Sequence, residues 1–152
     1  MFKIEKISEL MASVGFDAWG VVRAEELSDA KARFESWLSE GNAPTLHYLH
    51  RNIEKRFDSS LLLEGARSVV VGAVSYKNEF SEGYKADFDA RIASYALAPD
   101  YHTVLKDMLR EVAVGLGITD RKAAKICVDS TPLAEKALAH LAGIGWVGRN
   151  SL

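Results

Sequence analysis

The chain has 152 residues, 48% of them hydrophobic, which is enough for one domain with a sizeable core. Its 19 basic and 21 acidic side chains leave a formal charge of −2. No global field attracts nucleic acid, so a free-standing DNA or RNA binder is disfavoured unless a local patch or a neighbouring domain supplies the attraction. No stretch reaches the roughly 20 apolar residues of a membrane helix, and a cytoplasmic setting is the simplest expectation.

Phe2, Ile4, Ile7, Met11 and Val14 recur at helical spacing, and Gly15 is a natural stop. Phe16 to Val22 reads as a short strand with Trp19 and Val21 on one face. A second helix is expected from Ser28 to Glu40, with Ser28 or Asp29 as cap and Ala30, Phe34, Trp37 and Leu38 as its apolar stripe. Gly41 and Pro44 break it.

The run HRNIEKRFD carries His47 and His50 just before and at its start, three residues apart, a spacing that could serve a metal on one helical face. No third ligand stands at a fixed short distance, and the pair reads more simply as helix surface. Arg51, Lys55 and Arg56 are interspersed with Glu54 and Asp58. This pattern suits a solvated helix and turn, with a phosphate or tail-binding contact as the alternative.

Ala66, Val69, Val70, Val71, Ala73 and Val74 form a nearly continuous β-branched run, expected to be a central strand buried on both faces and ending at Tyr76. KNEFSEGYKADFD then suits a loop, either a cofactor cover or an ordinary surface excursion. Arg91 to Ala98 is ambiguous between strand and helical turn. From Asp100, a cap or first-turn residue, Tyr101, Val104, Leu105, Met108, Leu109 and Val112 give the 3.6-residue pattern of a core-facing helix. His102 falls near that helix's N-terminus, where a neutral imidazole can donate to a ligand oxygen or simply hydrogen-bond at the surface. Gly115 and Gly117 end the helix, Thr119 to Lys125 connects, and Ile126, Cys127 and Val128 read as the last strand. Helices alternating with three strand candidates give an α/β domain, with α+β as the alternative: a central sheet flanked by helices, its strand order not readable from the pattern.

Cys127 is the only cysteine, so this chain alone builds no disulfide, CxxC pair or all-cysteine cluster, and Cys127 itself reads as a buried strand residue. Asp129 ends the strand. It can accept from nearby backbone N–H groups, or act as a general acid if an apolar ligand strips its water. Thr131 as cap and Pro132 as first residue would start a helix with Leu133, Ala137, Leu138 and Leu141 on its apolar face. Glu135 is then either a solvated first-turn acid or a group that orients a neighbouring base or Arg149. Gly143, Gly145 and Gly148 spell GxGxxG but follow a helix instead of leaving a strand, which argues against a dinucleotide fingerprint. They allow backbone to approach a large ligand or pack a turn. Trp146 can provide an apolar wall, and Arg149 and Asn150 can bind amides, carboxylates or phosphate.

Three segments in order, LHYLHRNIEKRFDSSLLLEGARSVVVGAVSY, IASYALAPDYHTVLK and VDSTPLAEKALAHLAGIGWVGRNSL, make the chain similar over nearly its whole length to the N-terminal, cobalamin-binding domain of the epoxyqueuosine reductase family. The resemblance implies a vitamin B12-dependent enzyme that reduces epoxyqueuosine at the wobble position of tRNA to queuosine. Asp129 stands at the family's general-acid position. Tyr101, His102, Gly145, Trp146, Gly148 and Asn150 match the corrinoid pocket, with Arg149 where the family usually has lysine and Tyr76 and Tyr95 as weaker members of the same wall. Electrons would come from an external donor through two 4Fe–4S clusters in a ferredoxin-like segment expected after residue 152, so these residues alone are not expected to complete the reduction. Pro44-Thr45-Leu46-His47 and Ala98-Pro99 depart from the family pattern. Two other readings stay open: a corrinoid- or flavin-type redox domain acting on a small molecule, as in the reductive dehalogenases that share part of the plan, and a non-catalytic interaction domain with the same fold. Oligomeric state is not legible.

Overall fold

Helix α1 (Ile4–Val14) buries Ile7 and Met11, and stops at Gly15, whose φ of 100° is open to glycine at little cost. The N–H groups of Gly15 and Phe16 turn back to the carbonyls of Ala12 and Met11, satisfying the helix end and aiming the chain into strand β1 (Ala18–Arg23). The structure, a computed structural model, describes residues 3–77, 92–120 and 122–149.

Strand β1 pairs antiparallel with β2 (Ser68–Ala73), Ala18 opposite Ala73 and Arg23 opposite Ser68. Two strands alone are marginal in water, so the sheet depends on what covers it. One face presents Trp19, Val70 and Gly72 to α1 and to helix α4 (Tyr101–Gly115), where Ile7, Met11, Phe16 and Val112 form the main core cluster. The opposite face carries Gly20 beneath the end of helix α5 (Glu135–Leu141). A Cβ on Gly20 would lie 2.3 Å from the carbonyl oxygen of Ala142, so glycine is what lets α5 sit this close. Leu138 of α5 is 1% exposed. Alternate residues of each strand thus serve opposite layers, the period-2 logic of a sheet.

Helix α2 (Ser28–Ser39) packs Phe34 against Phe57 of α3 (Ile53–Phe57), with ring centroids 5.2 Å apart. Lys31 adds bridges to Glu26 at 3.0 Å and Glu54 at 2.6 Å, and these carboxylates raise its pKa. The carbonyl of Arg56 accepts the N–H of Ala134 at 2.8 Å, so α3 is tied to the approach to α5.

The mixed helix-and-strand class is as expected, with differences in detail. Strand β2 is half-buried, because among the described residues it has one neighbouring strand. Ile126, Cys127 and Val128 join no sheet among the described residues; Val128 is buried, but the backbone turns at once, with Ser130 N–H donating to the Val128 carbonyl. Helix α5 starts at Glu135 instead of Pro132: Ala134 is its cap, with a non-helical backbone at φ −81° and ψ 66°, and gives its N–H to Arg56. Ser28 does not cap α2, its hydroxyl being donated to Glu26 instead. Residues 47–50 and 94–97 form short 3-10 turns, and the expected loop beyond Lys77 lies outside the described residues.

Candidate functional site

The start of α4 and the turn after Val128 bring three predicted residues together. The Tyr101 hydroxyl donates to Oδ2 of Asp129 at 2.9 Å, and His102 Nε2 lies 3.5 Å from the same oxygen. Tyr101 and His102 stack at 4.1 Å, and Tyr95 meets Tyr101 edge-on at 6.3 Å.

Asp100 makes this possible by doing two jobs. As the cap of α4 its Oδ1 accepts the backbone N–H of His102 at 2.9 Å, and the same oxygen meets His102 Nδ1 at 2.8 Å. Both contacts, the side chain's first, hold the Asp100 carboxyl below its usual range. An ionised carboxylate only accepts, so Nδ1 carries a proton and Nε2 is the ring's free end, directed at Asp129. The bond to Asp129 raises the Tyr101 pKa, keeping its hydroxyl a donor.

Asp129 itself is exposed and sits at φ 54°, a left-handed backbone that few residues other than glycine adopt. With the bond from Ser130 N–H to Val128 it forms a tight three-residue turn. Glu135, in the first turn of α5, accepts the N–H of Asp129 at 2.9 Å. Burial pushes the Glu135 carboxyl up, against the lowering effect of that N–H, and the neighbouring Asp129 charge pushes the same way as burial. Glu135 therefore holds the backbone of Asp129 and is half-buried, not the solvated first-turn acid that its position also allowed. The double task of Asp100 was not foreseen, since a cap and a histidine partner look the same in sequence.

Beside Asp129 lies a recess of about 220 Å³, walled by Tyr48, Arg51, Asn52 and Arg56 on one side and the 129–132 turn on the other. The basic run around Arg51 thus borders the same recess as Asp129.

The glycine-rich tail is placed differently. Gly143 at φ 74° closes α5, its N–H and that of Ile144 returning to His140 and Ala139. His140 Nδ1 then approaches the Gly145 carbonyl at 3.2 Å and the Trp146 ring at 6.1 Å. Trp146 is 91% exposed, and Gly145, Gly148 and Arg149 are exposed with it. Tyr76 is exposed at the end of the β2 segment. None of these is in hydrogen-bond or ring contact with Asp129 among the described residues, and Asn150 lies outside them. His47 and His50 are both exposed, with His50 Nε2 3.4 Å from the Ala43 carbonyl. Among the described residues no group of three or more His, Cys, Asp and Glu side chains could hold a metal ion, and no helix is long and apolar enough to cross a membrane.

Residues 56–130, the span that contains Arg56, Tyr101, His102 and Asp129, match the family model described as epoxyqueuosine reductase QueG, DUF1730. Epoxyqueuosine reductase of Gloeobacter violaceus is 36% identical over 96% of this chain and 45% of its own length. That of Cyclobacterium marinum is 34% identical over 100% and 50%. Over nearly its whole length the chain is similar to epoxyqueuosine reductases.

Solved members of the epoxyqueuosine reductase family share its fold. The Streptococcus thermophilus enzyme superposes with a TM-score of 0.78 at 28% identity, over 98% of this chain and 41% of that one. An epoxyqueuosine reductase crystallised with an epoxyqueuosine-modified tRNA-Tyr stem loop superposes with a TM-score of 0.70 at 27% identity, over 97% and 40%. The chain spans about half the length of the curated epoxyqueuosine reductases it matches.

Proposed function

We propose that this chain is the corrinoid-binding part of a reductase that converts epoxyqueuosine in tRNA to queuosine, with Asp129 as its general acid. The observation that carries the reading is the convergence of Tyr101 and His102 on one exposed oxygen of Asp129, at 2.9 Å and 3.5 Å. Taking an epoxide to an alkene consumes two electrons and two protons and releases the oxygen as water. The oxygen leaves only if protonated, so a carboxyl with a proton supply is the group the reaction requires of the protein. A proton taken up at His102 Nε2, with Nδ1–H held by Asp100, would lie 3.5 Å from the Asp129 oxygen that Tyr101 fixes, and could pass to it.

The residues present suit a large, partly apolar ligand. Tyr101, on Asp129, and Tyr95, against Tyr101, present aromatic surface there, each at least a third exposed, and Val104 of the same helix adds exposed aliphatic surface. Trp146, with Gly145, Gly148 and Arg149 beside it and Asn150 following, would add a second wall, and Tyr76 a further aromatic edge. A bound cobalamin would supply the reducing centre. Closing the site over Asp129 would strip water from it and favour its neutral, acidic form. With one cysteine in 152 residues, 4Fe–4S clusters would take their thiolates from other polypeptide, as would contacts with an electron donor.

The test is Asp129→Asn in the full-length protein. The reading predicts that turnover of an epoxyqueuosine-modified stem loop falls by roughly 10²–10⁴-fold, the usual scale of acid catalysis, while cobalamin and RNA affinities stay within a few-fold. Retained turnover would remove Asp129 from the chemistry.

A further inference from the structure

Resting on the reading above, we infer that the recess beside Asp129 is a phosphodiester subsite, in which Arg51 and Arg56 grip one phosphate of a bound ligand. Its volume of about 220 Å³ is below the range of pockets that enclose a whole drug-sized molecule, so it suits one substituent and not a base or a macrocycle. Its lining is charged and hydroxylic: two guanidinium groups, the Asn52 amide, the Tyr48 phenol and the Ser130 and Thr131 hydroxyls.

The charges are unbalanced in favour of an anion. Among the described residues neither guanidinium has an ion-pair partner, and the one acid on the wall, Asp129, already has Tyr101 on it and His102 beside it. Arg56 has its guanidinium carbon over the Phe34 ring, 5.7 Å from the centroid, and its Nε is sealed from solvent with no hydrogen-bond partner. The buried Nε is out of a ligand's reach, so an oxygen-rich anion in the recess would be taken by the outer guanidinium nitrogens.

The backbone adds an independent sign. Asn52 at φ 55° and Asp129 at φ 54° are the two non-glycine residues with left-handed backbone among those described, and both line this recess. Such conformations concentrate where a ligand is clamped. The bond from Ala134 N–H to the Arg56 carbonyl fixes the two walls to each other. A phosphate seated there would hold the reacting part of its nucleotide beside Asp129.

Two ligands could bring the phosphodiester, the RNA strand and the nucleotide loop of cobalamin, and the experiment separates them. Arg51 is exposed, so Arg51→Gln should fold normally, and Arg56→Lys, which keeps the charge but not the fork, serves as the second variant. In the full-length protein, affinity for an epoxyqueuosine-modified stem loop is measured against salt, with single linkages replaced by methylphosphonate. An RNA phosphate in the recess predicts that R51Q lowers the magnitude of the log–log salt slope by about 0.7–0.9, and that one methylphosphonate weakens the wild type but not R51Q. A corrinoid phosphate predicts that R51Q weakens cobalamin and leaves cobinamide, which lacks the nucleotide loop, unchanged. Either result supports the subsite. Wild-type slope, methylphosphonate pattern and cobalamin-to-cobinamide ratio in both variants would overturn it. A wild-type protein that binds neither RNA nor corrinoid would sink the proposed function instead. The subsite would then be decided by inorganic phosphate, which should shift the amide signals of Ser130 and Thr131 in the wild type and not in R51Q.

Discussion

The N–H of Asp129 is donated to Oε1 of Glu135 at 2.9 Å, so the residue that offers a carboxyl to the site has its own backbone held by a second carboxyl from the helix that follows. This explains how an aspartate keeps φ 54° without glycine's freedom. Removing the acceptor by Glu135→Ala should release that exposed N–H to water, free the Asp129 backbone and lower turnover through a displaced Asp129. Glu135→Gln keeps an acceptor and should keep turnover.

The same pair yields a pH dependence whose sign is fixed. The folded state raises the Glu135 pKa, so folding binds more protons than unfolding there, and this group's contribution is full below the unfolded pKa and lost as pH rises through the folded one. Glu135→Gln should therefore melt higher than the wild type at neutral pH, and the gap should close as pH falls below the carboxylate range. A gap that widens toward acid would contradict the assignment.

Asp100 acts through His102, so its charge and its capping role can be separated. Asp100→Asn retains a capping oxygen for α4 but loses the anion that holds the Nδ1 proton. Little change in helix content is expected, together with a shifted pH–rate profile. The charge also gives a stability sign: Asp100 has a lowered folded pKa, so its contribution is present above the unfolded value and fades as pH falls through the folded one. That acid limb should be missing in the variant.

Gly20 links the sheet to the site at a distance. Gly20→Ala places a methyl group 2.3 Å from the Ala142 carbonyl, so α5 must move off the sheet and carry Glu135 with it. We expect a loss of about 1–3 kcal/mol, the usual cost of overpacking, and a fall in turnover beyond that of a Gly72→Ala control on the opposite face.

Much of the scaffold is readable from local pattern. Helices α1 and α4 follow the 3.6-residue spacing of Ile7 and Met11 and of Leu105, Met108 and Val112, and each ends near the glycine expected to stop it. Strand β2 follows its β-branched run. Where pattern fails, a distant partner decides: Ile126 to Val128 has strand-like residues but no neighbouring strand among the described residues, and the chain from Pro132 is tied to Arg56 through the Ala134 N–H before α5 begins. The site shows the same limit. Tyr101 and Asp129 lie 28 residues apart, and only the packing of α4 against the 129 turn turns two polar residues into a hydrogen-bonded pair. Family likeness pointed to both, whereas Asp100 carried no signal beyond that of a cap.

The central claim is that the surface around Asp129 holds a corrinoid, and it is tested most directly by titrating cob(II)alamin into the protein while following the corrinoid spectrum. The account predicts a saturable spectral change whose affinity drops when Tyr101 or Trp146 is replaced by alanine and persists in Asp129→Asn. A spectrum that never changes, or a change indifferent to both aromatic residues, would contradict it.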